Sequence, residues 1–309
     1  MTKALKIRKT VLLALFVILL AVCIVQCVTG SRDNTKNFVI KEAVDELTIT
    51  GPDGDILLVK ENDSWVLNEQ KYPANQSSVD SMLDSISEIK ALDKTGKLSA
   101  ENIEKYELKD GQKITVTAKG QGKVLRTVEL GKSSSAGSQG FAVIDGGNDI
   151  YLVAGNLRST FERTVDSLRS RTVLALDKAS LNSVSVTAAS GETWALSRSG
   201  EAENLVWNIS GADVTLDAQK ASDWLESLAN LSTTGWLEKT NLPSGGEFER
   251  KLELAAGTKN ISLEIYKVPA ADEDSPETYY AFCSETPYPF TVAGYTVQKY
   301  LKNPEEIAR

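Results

Sequence analysis

The sequence predicts an α+β fold, in which an N-terminal transmembrane helix is followed by two related units of antiparallel strands with one long amphipathic helix each. Three observations predict it. The stretch from Glu46 to Leu92 returns in similar form from Ser183 to Thr234. An uncharged apolar run extends from Val11 to Val28. The strand patterns do not alternate regularly with helix patterns, as they would in a parallel sheet.

Both copies of the repeat begin with the same strand pattern. Leu47 and Ile49 in the first copy, and Val184 and Val186 in the second, alternate with other residues, which is typical of a half-buried strand. A Gly-containing turn, a second apolar run and a tryptophan follow in each copy. We therefore expect each copy to start with strands.

Each copy then carries the pattern of one amphipathic helix. Apolar residues recur at i, i+3, i+4, i+7 and i+10, so each helix presents one stripe that must be buried. Asn75 and Asp217 stand at the expected N-caps, because a short side-chain oxygen can accept a free backbone N–H there. The stripes consist of Val79, Met82, Leu83, Ile86 and Ile89 in the first copy, and Ala221, Trp224, Leu225, Leu228 and Leu231 in the second.

The remainder of each half predicts β-hairpins and a short final helix. Two apolar runs flank a polar, Gly-containing turn in each half. The final helix is expected near Phe161 in the first half and near Tyr300 in the second. The hairpin strands are Ile114–Ala118 with Val124–Leu130, and Lys251–Ala255 with Ile261–Lys267.

The apolar run is interpreted as a membrane anchor. Its 18 residues would rise about 27 Å as a helix, close to the roughly 30 Å of a hydrocarbon core. Positive charge before the run predicts a cytoplasmic N-terminus and an extracytoplasmic location for everything after Gly30. The lipid bilayer is therefore an expected partner of residues 11–28. The basic residues are Lys3, Lys6, Arg8 and Lys9.

Two other interpretations of this segment stay open. A cleaved secretory signal would have a shorter apolar stretch and a site with small residues, which is not evident. A lipoprotein signal would place small residues before a cysteine, and Leu20–Cys23 fits except for the bulky Val22. Gln26 before Cys27 fits less well. All three interpretations predict a membrane-associated, extracytoplasmic protein.

The predicted domains are the tip and anchor (residues 1–30), a tether (31–43), the first unit (44–177) and the second unit (178–309). After the anchor the chain has 30 basic and 42 acidic residues, a net charge of −12. This balance argues against binding of nucleic acid or of an anionic lipid face. Cys283 is the single cysteine after the anchor, so we expect a buried thiol and no intrachain disulfide there.

The sequence predicts no catalytic, cofactor-binding or metal-binding residue, and no enzyme. It contains no histidine, which removes the commonest general base and metal ligand. Ser87–Lys90 and Lys94–Gly96 have the form of motifs in penicillin-recognising enzymes, but they lie too close together. Ala136–Gly140 resembles a nucleophile elbow without the strand and helix that an elbow needs. Ala270–Glu277 is acidic without ordered ligand spacing, so we interpret it as a solvated loop.

The five tryptophans divide into two groups. Trp65, Trp207 and Trp224 occupy repeat positions among apolar residues, so we expect them in the core. Trp194 and Trp236 have no such explanation, and they are the candidates for an exposed binding surface.

With these features in place, the chain resembles the bacterial domain-of-unknown-function family 4340 between Leu47 and Leu301. The resemblance rests on the two copies, on Tyr106–Leu108 and on Leu168–Arg171. Glu107 stands where the family usually has Gly, and Ser170 where it has Asp. Asn241–Pro243 replaces the Tyr-containing triplet in the second copy.

The resemblance implies an accessory role, because such proteins are often encoded near ABC-type export systems, including the gliding-type auxiliary component. We therefore expect a non-catalytic accessory or scaffold protein whose partner is an ABC-type permease or such a component. One alternative is an envelope-binding module that takes glycan or peptide near Trp194 or Trp236. A second alternative is an uncharacterised enzyme that uses carboxylates.

Overall fold

The computed structural model describes residues 11, 13–24, 35–135, 137–200, 206–270 and 277–309. Strands and helices occur in both halves, and every strand pair within these residues is antiparallel. The chain divides into a first unit, Met1–Leu168, and a second unit, Arg169–Arg309. The predicted mixed fold with antiparallel sheets is confirmed.

Residues 11 and 13–24 form helix α1, whose apolar side chains are exposed. Within the described residues, no helix combines the length and apolar character that crossing a bilayer requires. The predicted anchor extends over residues 12 and 25–28, which lie outside the described residues, as does the cytoplasmic tip before Val11. The anchor therefore stays a prediction.

The first unit contains one ten-stranded sheet. Its strands are β1 (Lys36–Val39), β2 (Glu46–Gly51), β3 (Gly54–Glu61), β4 (Ser64–Leu67), β5 (Tyr72–Pro73), β6 (Glu88–Lys97), β7 (Ile114–Gly120), β8 (Lys123–Ser133), β9 (Gln139–Ile144) and β10 (Asp149–Ala154). Its helices are α2 (Gln76–Ser87), α3 (Ala100–Lys105), α4 (Leu157–Phe161) and α5 (Val165–Leu168). The strand order is β1-β6-β10-β9-β8-β7-β2-β3-β4-β5.

Helix α2 covers one face of this sheet. Its N-cap Asn75 accepts a hydrogen bond from the Ser78 backbone at 3.0 Å, as predicted. The stripe residues Val79, Met82 and Ile86 are buried with the inward residues of the strands. Ile89, however, lies in β6 and not in the helix. A residue at i+10 can be buried either as part of a helical stripe or by alternation in a following strand. Helical spacing alone therefore does not distinguish a longer α2 from a helix followed by β6.

The second unit contains an eight-stranded and a two-stranded sheet. Its strands are β11 (Thr172–Ala175), β12 (Leu181–Ala188), β13 (Thr193–Ser199), β14 (Val206–Ser210), β15 (Asn230–Ser232), β16 (Gly235–Trp236), β17 (Glu247–Ala256), β18 (Lys259–Val268), β19 (Thr278–Cys283) and β20 (Phe290–Val292). Its helices are α6 (Ala218–Ser227) and α7 (Gly294–Val297), with 3-10 turns at Lys178–Ser180, Gln298–Tyr300 and Pro304–Ile307. The large sheet has the order β14-β13-β12-β17-β18-β19-β20-β16, and β11 pairs with β15.

The two units share one strand order. The run β6-β10-β9-β8-β7-β2-β3-β4 of the first sheet corresponds strand for strand to β16-β20-β19-β18-β17-β12-β13-β14. Helix α6 takes the place of α2, and its N-cap Asp217 accepts from the backbone of Gln219 and Lys220. Two predicted members of its stripe lie beyond the helix, since Leu228 is the C-cap and Leu231 lies in β15.

The repeat begins earlier than predicted. Phe38 of β1 lies opposite Ile89, and Leu174 of β11 lies opposite Leu231, so β11 is the second unit's counterpart of β1. The predicted tether, residues 31–43, therefore contains a strand of the first sheet. The boundary lies after Leu168, nine residues before the predicted residue 177, because β11 belongs to the second unit's sheets.

A Schellman motif ends helix α3. The backbone N–H of Leu108 donates to Ile103 at 2.9 Å, and that of Glu107 donates to Glu104 at 3.3 Å. Glu107 itself has a φ of 56°, the left-handed conformation in which glycine is favoured. This explains physically why glycine is expected at the centre of the Tyr-containing triplet.

We predict that Glu107→Gly stabilises the protein by about 0.5–1 kcal/mol. The change removes the roughly 1–2 kcal/mol cost of a left-handed residue with a Cβ. Glycine has more conformational entropy in the unfolded state, which offsets about 0.5–1 kcal/mol of that gain. Urea unfolding should show a higher midpoint with an unchanged slope. Glu107→Ala is the control, because it keeps the Cβ. Equal midpoints for the glycine and alanine variants would contradict this account.

Candidate binding surface

The segments whose sequences resemble catalytic motifs lie in a helix end, a strand and a loop. Ser87 is the last residue of α2, whereas Lys90 and Lys94–Gly96 lie in β6. Ser138 is exposed in the connection between β8 and β9, next to Ala136, which lies outside the described residues. Within the described residues, no group of three His, Cys, Asp or Glu side chains could hold a metal ion. Most of the acidic loop, residues 271–276, is outside the described residues.

Two tryptophans predicted in the core are buried there. Trp65 and Trp224 are 3% and 2% exposed, and the partly buried Trp207 packs against the second core. Cys283 is buried as predicted, and burial raises the pKa of its thiol.

Trp194 does not lie on an exposed surface, so that prediction was wrong. Its ring stacks on Trp224 with centroids 5.1 Å apart. Trp194 alternates with Leu196 on β13, and both face inward opposite Val186 and Val184 of β12. The alternation was present in the sequence and indicated this inward position.

Trp236 is half-buried, and the segment that joins the two units covers it. The Arg169 guanidinium lies 4.7 Å from the Trp236 ring centroid and 5.0 Å from that of Tyr288. The Trp236 indole N–H donates to the Ser170 carbonyl at 3.0 Å, and Arg171 donates to the Thr234 carbonyl at 3.3 Å. These contacts give the segment around Arg169–Arg171 a packing role, and the Arg169 guanidinium occupies one face of the Trp236 ring.

The outer face of the second sheet is the face turned away from the buried core. Alternation directs the inner residues of β12, β13, β17 and β18 to the core. Small side chains dominate the opposite side, so the sheet forms an open depression of about 440 Å³. The outward residues that line it include Ser183, Ser185, Ala195, Glu253, Ala255 and Ser262.

An aromatic cluster continues this outer face across β17, β18 and β19. Tyr266 and Tyr280 stack with centroids 5.0 Å apart, and Phe282 meets Tyr266 edge-on at 5.7 Å. Phe248, which is 37% exposed, meets Tyr266 at 5.8 Å. Burial and the neighbouring Glu264 carboxylate raise the pKa of Tyr266, and the Tyr266 hydroxyl donates to that carboxylate at 3.4 Å.

In the first unit, the equivalent part of the sheet's outer face is covered. Phe141 and Val143 of β9 correspond to Tyr280 and Phe282 of β19, and Tyr106 after α3 packs on Phe141 at 4.4 Å. The second unit has no helix at Asn241–Pro243.

In the second unit, Gly246 lies against the Tyr280 hydroxyl, so a Cβ there would come within 2.4 Å of it. Tyr280, between Gly246 and the Tyr266 ring, is buried, whereas Phe248, Tyr266 and Phe282 are partly exposed. Sequence reasoning missed this surface. Its signal was the loss of the Tyr-containing triplet together with aromatic residues at outward positions.

The comparison with protein families agrees with these packing motifs. The profile described as a domain of unknown function (DUF4340) matches residues 65–246, more than half of the chain. The chain belongs to this family. No curated protein and no solved structure matches it. The match includes Tyr106–Leu108, which forms the Schellman motif after α3. It also includes Leu168–Arg171, in which Arg169 stacks on Trp236.

We predict that Phe248→Ala lowers the free energy of unfolding by only about 1 kcal/mol, the value of one surface aromatic pair. Phe290→Ala should cost about 3–5 kcal/mol, because Phe290 is 0% exposed in the core and its removal leaves a cavity. Urea unfolding of both variants checks this. Similar losses for the two would show that Phe248 is a core residue.

Proposed function

We propose that this DUF4340 protein is a membrane-anchored, extracytoplasmic accessory or scaffold protein of an ABC-type export or cell-envelope system, without catalysis of its own. The observation that carries the proposal is the outer face of the second sheet. It leaves three aromatic side chains partly exposed where the first unit places Tyr106 and Leu108 as a cover.

The chemistry of this face suits a protein partner. Aromatic residues are enriched at the centres of protein interfaces, because they bury large areas at little conformational cost. The outward side chains that line the neighbouring depression are mainly Ser and Ala, with Glu253 and Asn260 beside them, so a partner's backbone or side chain can approach the sheet closely. Charge is locally balanced, since Lys251 pairs with Glu253 at 3.0 Å.

The family resemblance supplies the class of partner, an ABC-type permease or a gliding-type auxiliary component. The apolar run of residues 11–28 supplies the membrane attachment, with the N-terminus in the cytoplasm. Lipidation at Cys23 would also hold the two units at the membrane. Cleavage would leave them outside the cytoplasm without this anchor, so the extracytoplasmic location is what holds under each interpretation of the segment.

An envelope-binding module for glycan or peptide is the second candidate. Trp194 does not support it because it is buried, and Trp236 supports it less because Arg169 occupies one face of its ring. The partly exposed rings of Phe248, Tyr266 and Phe282 would have to provide the stacking surface.

We predict that crosslinking and pull-down of the full-length protein from native membranes recovers an ABC-type permease. Phe248→Ser and Ala255→Arg, which fills the depression, should each reduce the recovery about tenfold, equivalent to about 1.4 kcal/mol. Val124→Ser is the matched control, because Val124 is an exposed apolar residue of the first unit (60%). It should leave recovery unchanged.

Recovery of envelope polymer without a permease would favour the binding module. A permease recovered equally by wild type and both variants would show that the outer face is not the contact surface. Finding the protein monomeric and unaccompanied would contradict the accessory role itself.

A further inference from the structure

The two large sheets have four edge strands, and three of them carry protection against pairing with another chain. Strands β5 and β16 are two residues long, and β5 contains Pro73. Strand β1 contains Lys36. Short length, proline and lysine are the usual devices that keep an edge from pairing. Strand β14, Val206–Ser210, has five residues with neither charge nor proline.

In the first unit, the strand that corresponds to β14 is β4, and β5 covers its outer side. Trp65 and Leu67 of β4, which β5 pairs with, are 3% and 0% exposed. Their repeat counterparts in β14, Trp207 and Ile209, are only partly buried. No strand within the described residues pairs with the outer side of β14.

The segment that would correspond to β5 is engaged elsewhere. Thr215 accepts a hydrogen bond from the Arg309 backbone at 3.0 Å, and Leu216 forms an isolated bridge with Ala308. These contacts direct the chain toward its C-terminal residues, and among the residues that the structure describes none pairs with the outer backbone edge of β14.

We propose that β14 pairs antiparallel with β14 of a second copy of this chain, about a two-fold axis at Asn208. In this register Asn208 opposes itself, Trp207 opposes Ile209 of the second copy, and Val206 opposes Ser210. No like charges meet, and the two Asn208 amides can exchange hydrogen bonds.

The pairing also completes the edge of the core. Directly opposed residues share one face of a sheet, so Trp207 and Ile209 of both copies would be buried together, as Trp65 and Leu67 are in the first unit. A self-complementary contact of this kind is the isologous interface typical of two-fold dimers. The inference does not depend on the proposed function.

The test uses the full-length protein in detergent and measures its molar mass by light scattering. Wild type should be a dimer. Asn208→Lys and Asn208→Asp should each be monomeric, because like charges would meet on the axis. Their equimolar mixture should return to the dimer mass. Asn37→Lys is the matched control, since Asn37 is also an exposed asparagine on an edge strand, and it should stay dimeric.

A second measurement needs no charged variant. In a Cys23→Ser, Cys27→Ser background, Asn208→Cys should form a disulfide between two copies on mild oxidation, because opposed Cα atoms lie about 4.5–5.5 Å apart. A monomeric wild type, variants that dimerise like wild type, or a mixture that stays monomeric would overturn the proposal. Absence of the disulfide would overturn it as well.

Discussion

Each unit depends on burying one face of its sheet beneath one long helix. Alternate residues of the central strands face that helix, so a one-residue shift in register would turn the apolar set outward.

The helix ends where the next strand begins, and its last carbonyl groups need donors. In the first unit, buried Arg126 donates to the Ile86 carbonyl at 3.2 Å. In the second, the Lys299 ammonium donates at 2.7 Å to the carbonyl of Ser227, the last residue of α6, and at 2.6 Å to that of Asn230 in β15, although burial lowers its pKa. Different cations thus satisfy the same structural requirement.

The second unit lacks two covers that the first unit has within the described residues. Both units have the same strand order, so the first serves as an internal reference for the second. It covers its outer face with Tyr106 and Leu108 and the outer side of β4 with β5. The second unit has neither cover within the described residues. The result is an open aromatic face and an open edge, two surfaces suited to a partner protein and to a second copy.

The repeat in the sequence predicted most of the fold, because strand alternation and helix spacing survive in both copies. The prediction from the repeat was wrong where one sequence pattern fits both a helix and a strand. Ile89 continues a helical stripe but is buried by strand alternation in β6. Strand β1 has only four residues, too few for a clear period, so its sequence resembles a tether. The inward position of Trp194 follows from its register on β13 and not from the chemistry of the indole. The sequence signals the aromatic face through the lost triplet at Asn241–Pro243, but the exposure of that face depends on a cover that only the fold of the first unit reveals.

The position of the unit boundary tests the central claim, that each repeat begins with a short strand paired to the strand that follows its long helix. The decisive measurement is urea unfolding, followed by circular dichroism, of the fragment 169–309 beside the fragment 178–309. We expect the longer fragment to unfold cooperatively. The shorter one should be less stable by several kcal/mol, because it lacks the buried Val173 and Leu174 and leaves β15 without its partner. Equal stability of the two fragments, or an unfolded longer fragment, would contradict the account.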